Sequence, residues 1–197
     1  MTTANKVTIL RILLVPVFIT TILFFERTED SFYRFLAILA FSVASISDAV
    51  DGYIARHYNQ RSELGAILDP IADKALLVSG AILLSLKDTN LPAIPVVFII
   101  SILSRDMLIF LGVVIISYVC GKVSVRPRWP GKTATVLQMI TILLALLISP
   151  ERYVIFFAYA ATFFTILSAF YYVAEGIRQL NASPASAASL SSLSKKE

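Results

Sequence analysis

The sequence predicts an all-α integral membrane protein with six transmembrane helices and an N-terminal interfacial segment. Hydrophobic residues make up 57% of the 197-residue chain and charged residues only 15%, which is too apolar for an ordinary soluble domain. Six apolar stretches of roughly 17 to 25 residues each match the thickness of a bilayer's hydrocarbon core. The basic residues are concentrated on one side of the six-span arrangement, as they are in membrane proteins.

The six predicted spans follow one another with short polar connections. The first opens with a short charged entry and is too long for a signal-peptide core, so we expect it to be retained. The fourth begins near Pro92 and Pro95, which suit a helix start. Residues 1–180 then form one membrane domain, and residues 181–197, rich in Ser and Ala, form a disordered tail. The spans cover residues 4–25, 32–55, 64–86, 94–119, 132–148 and 153–177.

The distribution of basic residues predicts the orientation in the membrane. An even number of spans places both termini on the same side, and that side is the more basic one, so both termini are predicted to be cytoplasmic. The opposite loops hold only Arg27, Arg34, Lys87 and Arg152. The side with the termini holds Lys6, Arg11, Arg56, Arg61, Lys122, Arg126, Arg128, Lys132, Arg178, Lys195 and Lys196.

Four aspartates lie inside or beside the second and third apolar stretches. Asp48 and Asp51 are three residues apart, and Asp69 and Asp73 are four apart. On helices, each spacing places two side chains on one face, about one turn apart. Carboxylates at membrane depth are costly unless something compensates them, and clustered carboxylates repel one another. Hard divalent cations would remove that cost, because they take oxygen ligands and usually bind substrate phosphates as well.

The aspartates belong to a longer pattern. It reads Asp48-x-x-Asp51-Gly52-x-x-Ala55-Arg56, then eight residues, then Gly65-x-x-x-Asp69-x-x-x-Asp73. This pattern resembles the signature of the CDP-alcohol phosphatidyltransferases, with every fixed position present at the family spacing. These enzymes transfer a phosphatidyl or related group from a CDP-linked donor to an alcohol and release CMP. Before that resemblance is considered, aspartates inside a membrane are also compatible with a proton relay or an ion-binding bundle.

The resemblance implies a role for each residue of the pattern. Asp73 is implied to be the general base that takes the proton of the acceptor hydroxyl. The metal ligands are Asp48, Asp51, Asp69 and Asp73, for Mg²⁺ or Mn²⁺ and with two ions expected. The residues that shape the CDP pocket are Gly52, Ala55, Arg56 and Gly65.

A second resemblance involves the N-terminal segment. Asn5, Thr8 and Arg11 lie three residues apart on one helical stripe. This spacing is similar to the N-x-x-T-x-x-R opening of phosphatidylglycerophosphate synthases, which implies that Asn5 and Thr8 contribute to the CDP or lipid site. The alternative is an interfacial helix in which Lys6 and Arg11 extend to the lipid head groups.

Two basic residues are candidates for holding the acceptor. Arg105 lies deep in the fourth span, and Lys132 opens the fifth. Arginine suits bidentate contact with phosphate, and both positions match basic residues of the acceptor-phosphate pocket in relatives that use phosphorylated alcohols. The alternative for Arg105 is a structural ion pair with Asp106. No role can be assigned to Lys74 or Arg178 from the sequence, and Arg126 and Arg128 are expected to face solvent or head groups.

The resemblance is greatest to phosphatidylglycerophosphate synthases, which implies transfer from CDP-diacylglycerol to sn-glycerol 3-phosphate in phospholipid biosynthesis. The triplet Ser104-Arg105-Asp106 and the stretch NQRSELGAILDPIADK also resemble the cardiolipin synthases of the same superfamily, whose acceptor is phosphatidylglycerol. A non-catalytic ion-coupled transporter is a third hypothesis. The implied setting is a multi-pass protein of the cell (inner) membrane with a cytoplasmic site. It is expected to be a homodimer in contact with lipids and not with nucleic acid, since a net charge of +4 reflects loop bias.

Overall fold

The computed structural model describes residues 3–58, 74–86, 91–120, 129–147 and 150–181. Within its helices, the side chains of residues 3–8, 48–58, 119–120 and 180–181 lie outside the description. The described chain is helical throughout apart from short turns, so the all-α prediction is confirmed. The helices are α1 Thr3–Thr28, α2 Ser31–Tyr58, α3 Lys74–Leu83, α4 Val96–Cys120, α5 Trp129–Leu146 and α6 Glu151–Asn181.

The long apolar helices identify a membrane protein. Three described stretches are long and apolar enough to cross a bilayer, and they are Ile9–Thr28, Val96–Tyr118 and Glu151–Gln179. Ser31–Ser47 and Lys74–Leu83 are shorter apolar helices. The described residues therefore establish three candidate spans of the six predicted. Helix α1 is continuous from Thr3, so no break separates an interfacial segment from the first span.

The turn between α1 and α2 is shorter than the sequence predicts. The first predicted span ends at residue 25 and the second begins at residue 32, but α1 continues through Thr28 because Glu26 and Arg27 are good helix formers. Glu29 then adopts a left-handed conformation, with φ of 53°, and its N–H donates to the carbonyl oxygen of Phe25 at 2.8 Å, which ends the helix. The Oδ1 atom of Asp30 accepts from the N–H of Phe32 at 2.9 Å, so Asp30 caps α2.

All six helices contribute buried residues to the core, and α1, α2, α3 and α5 meet at one place in it. The rings of Phe18 in α1 and Phe41 in α2 pack with centroids 5.5 Å apart, and both side chains are buried. Gly80 of α3 lies against the same place. A methyl group at Gly80 would be 3.3 Å from two atoms of Ile142 in α5 and 3.4 Å from Phe18. The glycine therefore lets α3 pack closely between its neighbours.

The connection from α3 to α4 is fixed by hydrogen bonds. The N–H of Ile94 donates to the carbonyl oxygen of Leu84 at 2.9 Å, and the hydroxyl of Ser85 donates to the carbonyl oxygen of Ile94 at 2.9 Å. Helix α4 begins immediately after Pro95, as the prolines predict. These contacts hold the C-terminal end of α3 beside the N-terminal end of α4.

Helices α5 and α6 differ from the prediction at their ends. Helix α5 begins three residues before predicted residue 132, because Pro130 is suited to the first helical turn. Gly131 and Lys132 consequently lie in that turn. Helix α6 continues to Asn181 instead of ending at residue 177. It packs against both α4 and α5, while α1 packs against α2.

We expect Asp30→Ala to lower stability without changing catalysis, because it removes the cap of α2. Loss of such a cap costs about 1 kcal/mol, which is roughly 2–4 °C in a chain of this size. Thermal unfolding in detergent measures the effect. Asp30→Asn is the matched control, because asparagine is an equally good cap. Equal destabilisation by both substitutions would contradict this role of Asp30.

Candidate active site

The first aspartate pair lies on a helix, as predicted. Helix α2 continues through Asp48 and Asp51 to Tyr58, so the two residues are about one turn apart along it. Gly52, Ala55 and Arg56 follow on the same helix. The structure describes only the backbone of this part of α2, so the roles of these five residues stay predictions.

The other half of the aspartate pattern lies outside the described residues. This applies to Gly65, Asp69 and Asp73. Asn5 and Thr8 lie within α1, where the backbone alone is described. The metal, base and CDP-pocket assignments of all these residues therefore remain predictions.

Arg11 is buried, with 1% of its surface exposed. The alternative in which this side chain extends to the lipid head groups is therefore wrong for Arg11. A guanidinium is not removed from water without a polar environment to compensate it. Arg11 is the one residue of the Asn5, Thr8 and Arg11 stripe whose side chain is described, and it faces the interior of the protein.

Arg105 lies where α4, α5 and α6 meet. A methyl group at Gly131 in α5 would be 3.4 Å from the Nη2 atom of Arg105, 3.1 Å from the hydroxyl oxygen of Ser168 and 3.9 Å from that of Tyr172. The missing side chain of Gly131 thus leaves room for the guanidinium and two hydroxyls of α6 in one place. The Nε atom of Arg105 is buried and has no hydrogen-bond partner among the described residues.

Lys132 brings a second positive charge to the same end of α5. It follows Gly131 directly and is exposed. The first turn of a helix is also the positive end of its dipole and carries unsatisfied N–H groups. The Arg105 guanidinium beside this helix N-terminus favours an anion, and Lys132 adds a positive charge to the same turn. The structure therefore brings Arg105 close to the turn that contains Lys132, although the two residues are far apart in the chain.

Asp106 pairs with Lys74 of α3. The carboxylate is mostly buried, with 21% exposure, and the lysine is half-exposed at 52%. The Arg105–Asp106 ion pair that the sequence left open is not the arrangement observed, because Arg105 extends toward α5 instead. The sequence assigned no role to Lys74, and this contact shows that Lys74 is the partner of Asp106.

A buried polar contact joins α5 and α6 next to this region. The side-chain amide of Gln138 donates to the hydroxyl oxygen of Thr165 at 2.9 Å, and that hydroxyl donates to the carbonyl oxygen of Ala161 at 2.7 Å. Gln138 is 2% exposed and Thr165 is 1% exposed. This pairing satisfies polar groups that would otherwise be costly in an apolar bundle.

The predicted donor set fits a hard divalent cation. It consists of the carboxylates Asp48, Asp51, Asp69 and Asp73, and the chain has a single cysteine and a single histidine. Oxygen-only ligands select Mg²⁺ or Mn²⁺ over softer metals. Two of the four residues lie one turn apart on α2, which is a spacing that two ligands of one ion can use.

The fold and the signature together define a class. The family model described as CDP-alcohol phosphatidyltransferase matches residues 1–170. The chain therefore belongs to the CDP-alcohol phosphatidyltransferase family, and it is a membrane-embedded transferase.

Its similar relatives carry more specific names. A Mycobacterium tuberculosis (strain CDC 1551 / Oshkosh) protein named "Probable phosphatidylglycerophosphate synthase" is 35% identical over 181 residues, which cover 90% of this chain and 82% of the relative. A Rickettsia bellii protein named "CDP-diacylglycerol--glycerol-3-phosphate 3-phosphatidyltransferase" is 37% identical over 180 residues, covering 85% of this chain and 91% of the relative. A Haemophilus influenzae protein of the same name is 33% identical over 136 residues, which cover 68% of this chain and 70% of the relative.

The sequence did not reveal every residue around Arg105. The sequence singled out neither Ser168 nor Tyr172 as a site residue, because aromatic residues in an apolar helix more often face lipid or pack, and Phe156, Phe163 and Tyr171 are indeed exposed. The available signal was the four-residue spacing of the two hydroxyls on α6, which puts them on one face. Only the packing of α6 against α5 shows that this face meets Gly131.

Gly131→Ala is expected to weaken acceptor use while leaving the protein folded. The added methyl group would lie 3.1 Å from the hydroxyl oxygen of Ser168, which must shift by a few tenths of an ångström, and would contact the Nη2 atom of Arg105 at 3.4 Å. A side chain of this cluster that is moved off its rotamer costs about 0.5–1.5 kcal/mol, or roughly two- to tenfold in the acceptor KM. Helix propensity favours alanine by about 1 kcal/mol, so the melting temperature should not fall. Gly112→Ala is a matched control, since a methyl group there meets nothing within 4 Å; an equal KM change in both variants would contradict the expectation.

Proposed function

We propose that this enzyme transfers the phosphatidyl group of CDP-diacylglycerol to sn-glycerol 3-phosphate, giving phosphatidylglycerophosphate and CMP. The acceptor's hydroxyl oxygen forms a new bond to the phosphorus that carries the diacylglycerol. The bond from that phosphorus to the CMP oxygen breaks, and the hydroxyl proton moves to a carboxylate. The names of the similar relatives support this reaction.

The donor half of the proposal uses residues of α1, α2 and the segment that precedes α3 in the chain. Asp73 takes the hydroxyl proton, as the last aspartate of the signature. Bound Mg²⁺ or Mn²⁺ would neutralise charge on the donor's phosphates and on departing CMP, held by Asp48, Asp51, Asp69 and Asp73. The CDP pocket is shaped by Asn5, Thr8, Gly52, Ala55, Arg56 and Gly65.

The acceptor half is supported by the position of Arg105, which is the observation that carries the choice of acceptor. Its guanidinium lies against Gly131 at the N-terminal turn of α5, next to Lys132. A phosphate dianion placed there would receive charge-assisted hydrogen bonds from Arg105 and from Lys132. It would also compensate the buried Nε atom and the positive end of the α5 dipole.

The membrane arrangement is part of the same proposal. It has six spans, with both termini and the aspartates on the cytoplasmic side of the cell (inner) membrane, where soluble glycerol 3-phosphate is available. Three long apolar helices and the bias of the basic residues support it. Homodimer formation is included on the basis of the family resemblance.

An acceptor comparison tests the proposal. Purified protein is given CDP-diacylglycerol and Mg²⁺ in mixed micelles, with glycerol 3-phosphate or phosphatidylglycerol, and CMP and the lipid product are measured. We expect CMP release and phosphatidylglycerophosphate when glycerol 3-phosphate is the acceptor, and neither product when phosphatidylglycerol is the acceptor. Cardiolipin formed from phosphatidylglycerol would support the alternative acceptor that the Ser104-Arg105-Asp106 triplet suggests. No CMP release with either acceptor would support a non-catalytic membrane protein.

Replacing one metal ligand should abolish activity while the protein stays folded. Asp48→Asn, Asp51→Asn and Asp69→Asn each keep the size of the side chain and remove charge that a cation needs. We expect loss of nearly all CMP release, together with a single unchanged peak in size-exclusion chromatography. The wild-type protein should likewise lose activity with a chelator and regain it with Mg²⁺ or Mn²⁺. Near-normal activity in two of the three variants at saturating Mg²⁺ would rule out this metal site.

Removing one acceptor-phosphate contact should raise the KM for glycerol 3-phosphate. Arg105→Ala or Lys132→Ala removes a charge-assisted contact worth about 1.5–3 kcal/mol, or roughly ten- to a hundredfold in KM. The KM for CDP-diacylglycerol should change little. Steady-state kinetics with each substrate varied in turn measures both constants, and melting temperatures are recorded beside them. An unchanged glycerol 3-phosphate KM in both variants would show that the phosphate binds elsewhere.

A further inference from the structure

Helices α3 and α4 are joined at two levels. At one level, the N–H of Ile94 donates to the carbonyl oxygen of Leu84. At the other, Lys74 pairs with Asp106. Leu84 follows Lys74 by ten residues and Asp106 follows Ile94 by twelve, and most of each stretch is helix, with α3 ending at Leu83 and α4 beginning at Val96. Both stretches are therefore about 15 Å long. The similar lengths describe an antiparallel hairpin whose open end is closed by the ion pair.

The ion pair also sets the rotation of α4. Consecutive residues on a helix project about 100° apart, since a turn contains 3.6 residues. Asp106 faces α3, where Lys74 lies, and Arg105 consequently faces the other neighbours of α4. Its Nη2 atom lies by Gly131 of α5 and the hydroxyls of α6. One contact therefore determines the direction in which the next residue along α4 extends.

We propose that Lys74 and Asp106 are positioning residues, which hold Arg105 toward the N-terminal turn of α5 for binding the phosphate of the acceptor. The inference rests on the proposed function, because it assigns Arg105 to the acceptor. Lys74 also follows Asp73 directly in the chain. The same contact thus ties the segment that carries the predicted base to the helix that carries the predicted phosphate ligand.

Stability alone does not account for the pair. Ion pairs with exposed partners contribute little to folding, and Lys74 is half-exposed. Both charges nevertheless lie beside apolar helices, where an unpaired carboxylate is costly. Lys74→Met leaves that carboxylate unpaired and is therefore expected to lower the melting temperature as well, so positioning is measured as the loss in acceptor kcat/KM relative to the donor KM.

A double-mutant cycle tests the proposal. Lys74→Met, Asp106→Asn and the double variant are compared with wild type in glycerol 3-phosphate kcat/KM, CDP-diacylglycerol KM and melting temperature. Each single variant should lose about tenfold in acceptor kcat/KM, equivalent to about 1.4 kcal/mol. The double variant should lose about the same tenfold instead of a hundredfold, because both substitutions break one contact. The donor KM should change by less than twofold.

Two further variants separate positioning from a direct or merely structural role. Lys74→Arg keeps the charge and should retain most of the activity. Arg152→Gln is the control, since it removes a cation and its hydrogen bond to Tyr153 at the far end of α6, and it should leave all constants unchanged. In an Arg105→Ala background, Lys74→Met should cause no additional loss, because the pair acts through Arg105.

The proposal would be overturned if the losses in acceptor kcat/KM of the two single variants multiplied in the double variant. It would also be overturned if Lys74→Met caused its full loss in the Arg105→Ala background. Equal effects on both substrates with a matching fall in melting temperature would show a structural role only. Failure of the proposed function has a different signature. If wild type uses phosphatidylglycerol instead of glycerol 3-phosphate, the acceptor assignment fails, and the same cycle is run with phosphatidylglycerol. If the double variant loses no more phosphatidylglycerol kcat/KM than either single variant, the positioning role is still supported. If the two single losses multiply in the double variant, the positioning role is refuted.

Discussion

The cost of a polar or charged group in an apolar helix bundle determines how this protein is organised. Hydrophobic residues make up 57% of the chain, so each polar group between the helices needs a partner or a ligand. Gln138 and Thr165 satisfy one another across α5 and α6, and Asp106 is paired by Lys74. Arg105 retains a buried Nε atom with no hydrogen-bond partner among the described residues. The difference between the satisfied groups and Arg105 is the reason to expect an anion beside it.

Close helix packing supplies the positions at which these groups meet. Gly80 lets α3 approach Phe18 and Ile142, and Gly131 leaves space for the guanidinium of Arg105 against α5. The two glycines act in different ways. The first brings three helices together in the apolar core, whereas the second keeps a space lined by polar atoms. A larger side chain would change the helix packing at Gly80 and the arrangement of charged and polar groups at Gly131.

The sequence predicted the helical class, the aspartate helix and the family, because these depend on local composition and on spacing along a helix. The one-turn spacing of Asp48 and Asp51 requires only that α2 is continuous. The sequence did not predict that α1 extends through Thr28, because a charged segment that is also helix-forming reads as a loop. It also missed the contact of Lys74 with Asp106 and the position of Ser168, because the pairing of helix faces depends on tertiary packing, which periodicity does not contain.

The chemistry and the choice of acceptor consequently depend on different parts of the chain. The signature residues that we assign to the metal and the donor belong to α2 and the segment that leads into α3. The groups that surround Arg105 come from α4, α5 and α6. A signature confined to the first part identifies the family and leaves the acceptor open, since a phosphate monoester and a phosphatidylglycerol could be presented to the same aspartates. The Lys74–Asp106 pair joins α3 to α4, so in the proposed mechanism it would link the segment that carries the predicted base to the helix that carries the predicted phosphate ligand.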